Sequence, residues 1–209
     1  MAQHIIILGP QASGKGTQAE MLAHELNHRH ISMGEKLREE VASGSKLGQM
    51  MKAHMDNGEL VPDDLTNKMI LRELERSPNG AILDGFPRTI AQAKFLDDHI
   101  EIAHVIALTI SDKTAVERIG GRRECPKGHN YHTKYNPPKK PGFCDTDGLP
   151  LRQRSDDTPA TIMKRLALYH EQTEPLIAHY KSKVISINGE PSIPEVHLAV
   201  LKALHHRKR

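Results

Sequence analysis

The sequence predicts an α/β fold in which a parallel β-sheet carries helices on both faces. Three observations lead there. An apolar run, Ile5-Ile6-Ile7-Leu8, is followed by a glycine-rich loop and then by a segment with helical spacing. Short apolar runs and helix-patterned segments then alternate along the chain, the order of parallel strands wired by crossover helices. The chain has 209 residues, 37% hydrophobic and 26% charged, enough to bury a core without covalent staples.

The elements follow in order. Four consecutive apolar residues at 5–8 suit a strand buried on both faces. Gly9 to Gly14 is turn-prone. A helix is predicted from Lys15 to Leu26, with Ala19, Leu22, Ala23 and Leu26 on its inner face. His30 to Met33 reads as a second strand, and Gly34 to His54 as helical with breaks at 43–48. Asn57-Gly58 marks a turn. Pro62-Asp63-Asp64 opens a helix, with Asp63 as its predicted cap and Leu65, Met69 and Leu74 repeating behind it. Ala81 to Asp84 is a strand ending in a carboxylate, turned by Gly85-Phe86-Pro87-Arg88 into a helix over Thr89–Asp97. Val105 to Ile110 is the fourth strand, and Ser111-Asp112 caps a helix running to Ile119. Pro159, Ile162, Arg165, Leu166 and Tyr169 mark another helix. Val184 to Ile187 is the fifth strand, and a last helix runs from Pro194 past Leu204. No internal repeat or low-complexity block is present.

Residues 121–157 break the alternation. They are rich in Pro, Gly, Lys and Arg, and a structureless loop of that length is unusual, so an inserted small subdomain is expected. His132 to Tyr135 is the predicted strand within it. Such an insertion beside a cleft is a means of excluding water.

Composition removes several classes. A formal charge of +3 and a pI near 8.8 suit a phosphate-handling protein without requiring nucleic acid. The ending His205-His206-Arg207-Lys208-Arg209 reads as a solvated tail. Two cysteines cannot build a disulfide scaffold; Cys125 and Cys144 are left as a single bridge, free thiols or metal ligands. No apolar run is long enough to span a bilayer and no basic leader precedes the first strand, so a soluble cytoplasmic protein is expected.

The strongest chemical signal is Gly9-Pro10-Gln11-Ala12-Ser13-Gly14-Lys15-Gly16-Thr17, set between a strand and a helix. A loop of this kind turns backbone N–H groups inward at a helix N-terminus, where phosphate binds. Lys15 adds positive charge for the phosphates, and Thr17 is placed to hold Mg²⁺ directly or through water. Asp84 ends a strand at the carboxyl edge of the same sheet, where ligands collect, and suits Mg²⁺ or its waters, or a capping role. Arg38 and Arg88 form a candidate clamp for a second phosphate. Arg118, Arg122, Arg123, Arg152, Arg154 and Arg165 flank the insertion. Phosphoryl transfer needs such positive charge around the moving group, and the guanidinium fork matches two phosphate oxygens. Arg118 and Arg122 share a helix face if the helix persists. Asp156 and Asp157 are placed to orient these arginines or to close the flap.

Together these motifs resemble the adenylate kinases, within the nucleoside monophosphate kinases. The resemblance runs through residues 9–18, Ile31-Ser32-Met33-Gly34-Glu35, Asp84-Gly85-Phe86-Pro87-Arg88-Thr89 with Gln92, Arg118 to Arg123, Tyr131-His132, Asn136-Pro137-Pro138, Arg154 to Asp157 and Arg165. It covers almost the whole chain in the family's order, and the insertion resembles the long LID of bacterial members. It implies a phosphate-loop sheet, a core of 1–31, 62–120 and 158–209, a helical AMP-binding segment at 32–61 and a LID at 121–157. It implies in-line, Mg²⁺-dependent transfer of the terminal phosphoryl group of ATP to AMP, giving two ADP. ATP would be held by Gly14, Lys15, Gly16, Thr17, Arg118 and Arg122, with Arg118 on the adenine. AMP would be held by Ser32, Met33, Arg38, Val61, Gly85, Arg88, Gln92, Arg154 and Arg165, with Gly85 and Gln92 reading the base. Lys15, Arg88, Arg122, Arg154, Arg165 and Asp84 would carry the transfer. The partners implied are ATP, AMP and ADP, with no nucleic acid, no membrane and a monomeric protein.

The chain departs from that pattern in places. Gln11-Ala12 stands where the family usually has Pro-Gly, Met33 replaces a Thr beside the acceptor base, Glu35 replaces an Asp, and a common Lys is absent around Asn188-Gly189-Glu190. Cys125, His129, Cys144 and Asp147 form an acceptable tetrahedral zinc set, with His132 the rival to His129 and metal-free packing the alternative. Two other functions are weighed. One is a kinase for CMP, UMP or GMP, kept open by Met33. The other is a basic zinc-containing nucleic-acid binder, which leaves the loop, Asp84 and the arginines without a purpose.

Overall fold

The computed structural model describes residues 3–154 and 156–207. Five parallel strands form one sheet in the order β2-β3-β1-β4-β7. They are β1 (His4–Leu8), β2 (Arg29–Ser32), β3 (Ala81–Asp84), β4 (Ile102–Thr109) and β7 (Val184–Asn188). The pleat sends alternate side chains to opposite faces. Ile6, Leu8, Ile31, Leu83 and Val105 face one side. There they pack under α2 (Met33–Ala42), α3 (Lys46–Asp56), α4 (Asp63–Glu75), α5 (Ile90–Asp97) and α8 (Leu176–His179). Ile5, Ile7, Ile82, Ile106, Leu108, Ile185 and Ile187 face the other, against α1 (Lys15–Leu26) and α9 (Ile193–Arg207). All four apolar residues of β1 are 3% exposed or less. At about 2 kcal/mol per buried side chain, this strand anchors both layers.

Register sets the site. Ile7 lies opposite Asp84 on one side and Ile106 on the other, and Ser32 also pairs with Asp84. The carboxyl ends of β1, β2 and β3 therefore stand side by side, and the segments leaving them share one edge. Gln18 ties α1 to α9, donating from Nε2 to the Ile193 carbonyl at 3.0 Å while its Oε1 lies 3.1 Å from His197 Nδ1.

The inserted subdomain follows α6 (Asp112–Gly121). Its β5 (Arg122–Glu124) pairs antiparallel with β6 (Asn130–His132), and Glu124 also bridges to Arg152. The chain returns through α7 (Pro159–Leu168), a π-helical turn over Tyr169–Thr173, and α8.

Several local expectations change. The insertion's strand lies at Asn130–His132, because the His132 imidazole accepts from the Lys134 and Tyr135 amides and turns the chain there. Met33 opens α2 rather than closing β2. Asp63 does not cap α4, whose flanking residue is Pro62; its carboxylate accepts instead from Gln92 Nε2 at 2.7 Å and Thr89 Oγ1 at 3.2 Å. Arg118 and Arg122 share no helix face, since α6 ends at Gly121 and Arg122 is extended, with φ −67° and ψ 139°. His205 and His206 belong to α9 rather than to a tail, while Lys208 and Arg209 lie outside the described residues. Ser111 does cap α6, its hydroxyl accepting from the Thr114 amide at 3.1 Å. Among the described residues, no helix is long and apolar enough to cross a membrane.

Candidate active site

A cleft of about 1040 Å³ opens at the carboxyl edge of the sheet, between residues 32–61, the insertion and the loop after β1. The loop turns sharply at Gly9, where a Cβ would stand 2.6 Å from the Leu108 carbonyl oxygen. No side chain fits there, so the loop can cross the sheet edge only with glycine at this position. Ala12 adopts φ +60°, a conformation that strains any residue with a Cβ. The loop thus keeps its shape without its freest residue, at a cost of about 1 kcal/mol. Gly14 immediately precedes α1, and the loop faces the cleft from Gly9 to Thr17 apart from Pro10.

Lys15 points its Nζ back into the loop, donating to the Gly9 and Pro10 carbonyls at 2.8 and 2.7 Å. Burial drives its pKa down to about 8; Asp84 opposes the fall, and the Arg88 and Arg122 charges add to it. An incoming phosphate favours the protonated amine, so nucleotide capture weakens as pH rises through that value. We expect kcat/KM for the phosphate donor to fall about fivefold between pH 8 and pH 9, the drop of a single group required in its protonated form. A steady-state profile that stays flat to pH 9.5 would refute this.

Asp84 stands across from the loop, its Oδ2 3.4 Å from where a Gly16 Cβ would be. Burial would raise its pKa. The His30 ring, with Nε2 at 3.7 Å, and the Lys15 and Arg88 charges outweigh that and hold the carboxyl below its usual range. His30 is correspondingly held up by Asp84, Glu35 and Glu20 against its own burial. An ionised Asp84 and the Thr17 hydroxyl, both facing the cleft, are oxygen donors suited to Mg²⁺ held largely through water.

Five arginines converge on the same cleft, each held by an acceptor. Arg88 donates from Nε to the Gly85 carbonyl at 2.9 Å. Arg122 grips Asp157 with Nε and Nη2, the Nε bond being 3.0 Å. Arg165 pairs with Asp156 and reaches the Met55 carbonyl at 3.3 Å. Arg154 grips Glu124 with Nε and Nη2, the second at 3.0 Å, and also donates to Asn130 Oδ1 at 3.0 Å. Arg38 lies 3.5 Å from the same Glu124. Burial lowers the pKa of Arg38, Arg154's charge adds to that, and Glu124 counters it. Arg118 also faces the cleft, bonded to the Gly189 and Glu190 carbonyls and lying 5.3 Å from the Tyr135 ring centre.

Most residues singled out from sequence therefore meet in one space: Gly14 to Thr17, Ser32, Arg38, Val61, Asp84, Gly85, Arg88, Arg118, Arg122, Arg154 and Arg165. Met33 and Gln92 do not line it. Met33, the first residue of α2, is buried in the core. The Gln92 amide is committed to Asp63 and to Thr66 Oγ1, and its Oε1 accepts from the Arg88 amide at 2.7 Å. It thus fixes the backbone of Arg88. Sequence reading missed His30 and Glu124. His30 was visible only as a strand residue two positions before Ser32. Nothing in the spacing of Glu124 pointed to the cleft.

The insertion brings Cys125, His129, Cys144 and Asp147 together. His129 Nδ1 lies 3.3 and 3.4 Å from the two sulfurs and 3.2 Å from Asp147 Oδ2, which is 3.4 Å from Cys125 Sγ. Neither cysteine forms a disulfide. Tetrahedral zinc with these ligands has edges of about 3.3–3.8 Å, so the four atoms already describe its shell. The rival, His132, is turned away onto the Lys134 and Tyr135 amides. The Leu149 amide, with help from the two thiols and His129, holds the Asp147 carboxyl down to about 2 despite the opposing effect of its burial. The Tyr131 hydroxyl sits 3.4 Å from Cys144 Sγ.

Comparison with known proteins agrees with this geometry. The family model for adenylate kinase matches residues 7–185. The chain is 44% identical to the adenylate kinase of Anaeromyxobacter sp. strain Fw109-5, over 95% of this chain and 97% of that one. It is 43% identical to the adenylate kinase of Caldicellulosiruptor saccharolyticus and 42% identical to that of Methanothrix thermoacetophila. Each of these alignments covers 96% of this chain and 98% of the relative.

Proposed function

The chain belongs to the adenylate kinase family, and from that premise we propose how its own residues perform the reaction. The enzyme transfers the terminal phosphoryl group of ATP reversibly to AMP, giving two ADP. The observation that carries the assignment of roles is the shared cleft: the Gly9–Thr17 loop, Asp84 and six arginines face one space rather than separate surfaces.

In this reading Gly14, Lys15, Gly16 and Thr17 cradle the ATP phosphates with backbone N–H groups and the Lys15 amine, which leaves its loop carbonyls to reach them. Arg118 presents its face to the adenine beside Tyr135, and Arg122 binds the phosphates while Asp157 holds it. Arg38, Arg88 and Arg165 hold the AMP phosphate, and Ser32, Val61 and Gly85 border its nucleoside. We assign Gln92 to the same acceptor side, acting on Arg88 through the backbone amide bond it accepts, while Met33 is core rather than a contact of the base. Arg154 meets the group in transfer. An AMP phosphate oxygen attacks the γ-phosphorus, the bond to the β–γ bridging oxygen breaks, and ADP leaves on each side. Fixed positive charge spread over the equatorial oxygens stabilises this transition state, with little covalent help from the protein. Mg²⁺, where bound, neutralises phosphate charge; Asp84 and Thr17 are the residues placed to hold its waters.

The Cys125-His129-Cys144-Asp147 cluster is consistent with a structural zinc site. We read 32–61 as the segment closing over AMP, 121–157 as the LID closing over ATP, and 1–31, 62–120 and 158–209 as the core. A monomer in the cytoplasm fits this reading, since reduced thiols are what a zinc ligand set requires. The test is a coupled assay with ATP and Mg²⁺ offering AMP, CMP, UMP or GMP at equal concentration. AMP is expected to be preferred. A hundredfold preference for another acceptor would overturn the choice of base, and no transfer to any would overturn the kinase reading.

A further inference from the structure

Among the described residues, Glu124 is the carboxylate in ion-pair contact with both Arg38 and Arg154. Its place is set by the backbone. It sits at the end of β5, opposite Asn130 on β6, and exchanges backbone bonds of 2.8 and 2.9 Å with Arg152 on its other side. Its backbone is thus bonded on both sides, between β6 and the Arg152 bridge. Arg154 lies two residues beyond Arg152, at the diagonal position that long side chains reach across a strand pair. The carboxylate takes the Nε–Nη2 edge of Arg154, and Asn130 takes a second Nη2 bond. That leaves Nη1 as the nitrogen with neither contact. Across the cleft the same carboxylate is 3.5 Å from Arg38 Nη2.

The geometry points to Glu124 as a positioning residue for phosphoryl transfer. It clamps Arg154 side-on with one face toward the transferring group, and it neutralises the repulsion between Arg154 and Arg38 before phosphates arrive. The physical need is clear. Two guanidinium groups from opposite movable segments converge on a cleft that has not yet received its anions. A shared carboxylate lets them stand in place beforehand, so less reorganisation remains for the transition state. Glu124 does not line the cleft itself; Arg38 and Arg154 do. Its effect therefore passes through them rather than through contact with substrate.

This inference rests on the kinase reading, and its test separates the two. The experiment is a double-mutant cycle on the intact chain, E124Q against R154K, with kcat and KM for ATP and AMP measured at each corner. In the parent background E124Q is expected to lower kcat roughly tenfold while KM for ATP stays within twofold, the signature of lost orientation rather than lost binding. In the R154K background the same change should alter kcat less than twofold, because the group it orients is already gone. An E124Q enzyme within twofold of the parent in kcat overturns the inference, and so do equal falls in both backgrounds. Zinc content and melting temperature are recorded for every protein. If E124Q disturbs them, the cycle is run with E124D, for which a threefold loss confined to the Arg154 background is expected and equal losses again overturn it. A parent that fails to make ADP would sink the kinase reading itself, whereas an active parent with an indifferent Glu124 sinks only this role.

Discussion

Lys15→Ala is expected to cut kcat/KM by about three orders of magnitude, the cost of removing one charged donor from a preorganised phosphate site. Lys15 is half-buried among cations, and its desolvation, with the Arg88 and Arg122 charges, pushes its pKa down to about 8. Among the described residues, Asp84 is the anion that favours its charged form. When triphosphate enters, the amine exchanges the Gly9 and Pro10 carbonyls for phosphate oxygens and regains full charge compensation. The loss should exceed what a mobile surface lysine would give, because the Lys15 amine is held at the loop by the Gly9 and Pro10 carbonyls. Folding should survive: truncation relieves an unfavourable burial while leaving α1, Gly9 and Gly14 intact. Coupled kinetics and thermal melting check both halves. Turnover within threefold of the parent would place the phosphates elsewhere, and a melting temperature lowered by 10 °C would make the side chain structural.

Cys144→Ala is expected to release the metal and loosen the insertion. Three ligands remain, but a structural zinc site uses four, and the missing thiolate takes with it the Tyr131 contact at 3.4 Å. The insertion has little apolar packing to fall back on. Its paired strands are three residues each, and Cys125 and Cys144 are the buried apolar residues within it. A loss of about 3 kcal/mol is expected, which for a chain of this length lowers the melting temperature by about 10 °C. Elemental analysis should find close to one zinc per parent chain and less than about 0.2 in the variant. A parent with no zinc and unchanged stability would show that the four ligand atoms pack without a metal. The core sheet does not depend on this site, so far-ultraviolet circular dichroism should change little even where turnover falls with the LID.

Much of this was legible in the residues. Ile5 to Leu8 announces a buried strand because four consecutive apolar side chains can be hidden only between two layers. Gly9 through Thr17 declares its chemistry because a phosphate loop is local: its donors are its own backbone N–H groups. Asp84 was readable as a carboxylate at a strand's end, and the arginines as a surplus of charge with one plausible use. The four candidate metal ligands were named from two short clusters, and the fold brings them together. Boundaries failed where a side chain far away decides them. Asp63 reads as a cap by sequence, yet the helix packed beside it offers Thr89 and Gln92, and two side-chain bonds outcompete a solvent-exposed turn. Arg122 reads as the next turn of α6, yet the insertion draws it into a strand against His132.

The linear chain alone settled the layers, the phosphate loop and the kind of chemistry, because those depend on spacing within a few residues, where covalent geometry leaves little choice. Only the folded molecule decided who neutralises whom. Asp157 holds Arg122 from 35 positions away, and Glu124 reaches Arg154 across 30. Such pairings arise when crossing elements bring charges into a space with little water, and no local pattern records which carboxylate will be there.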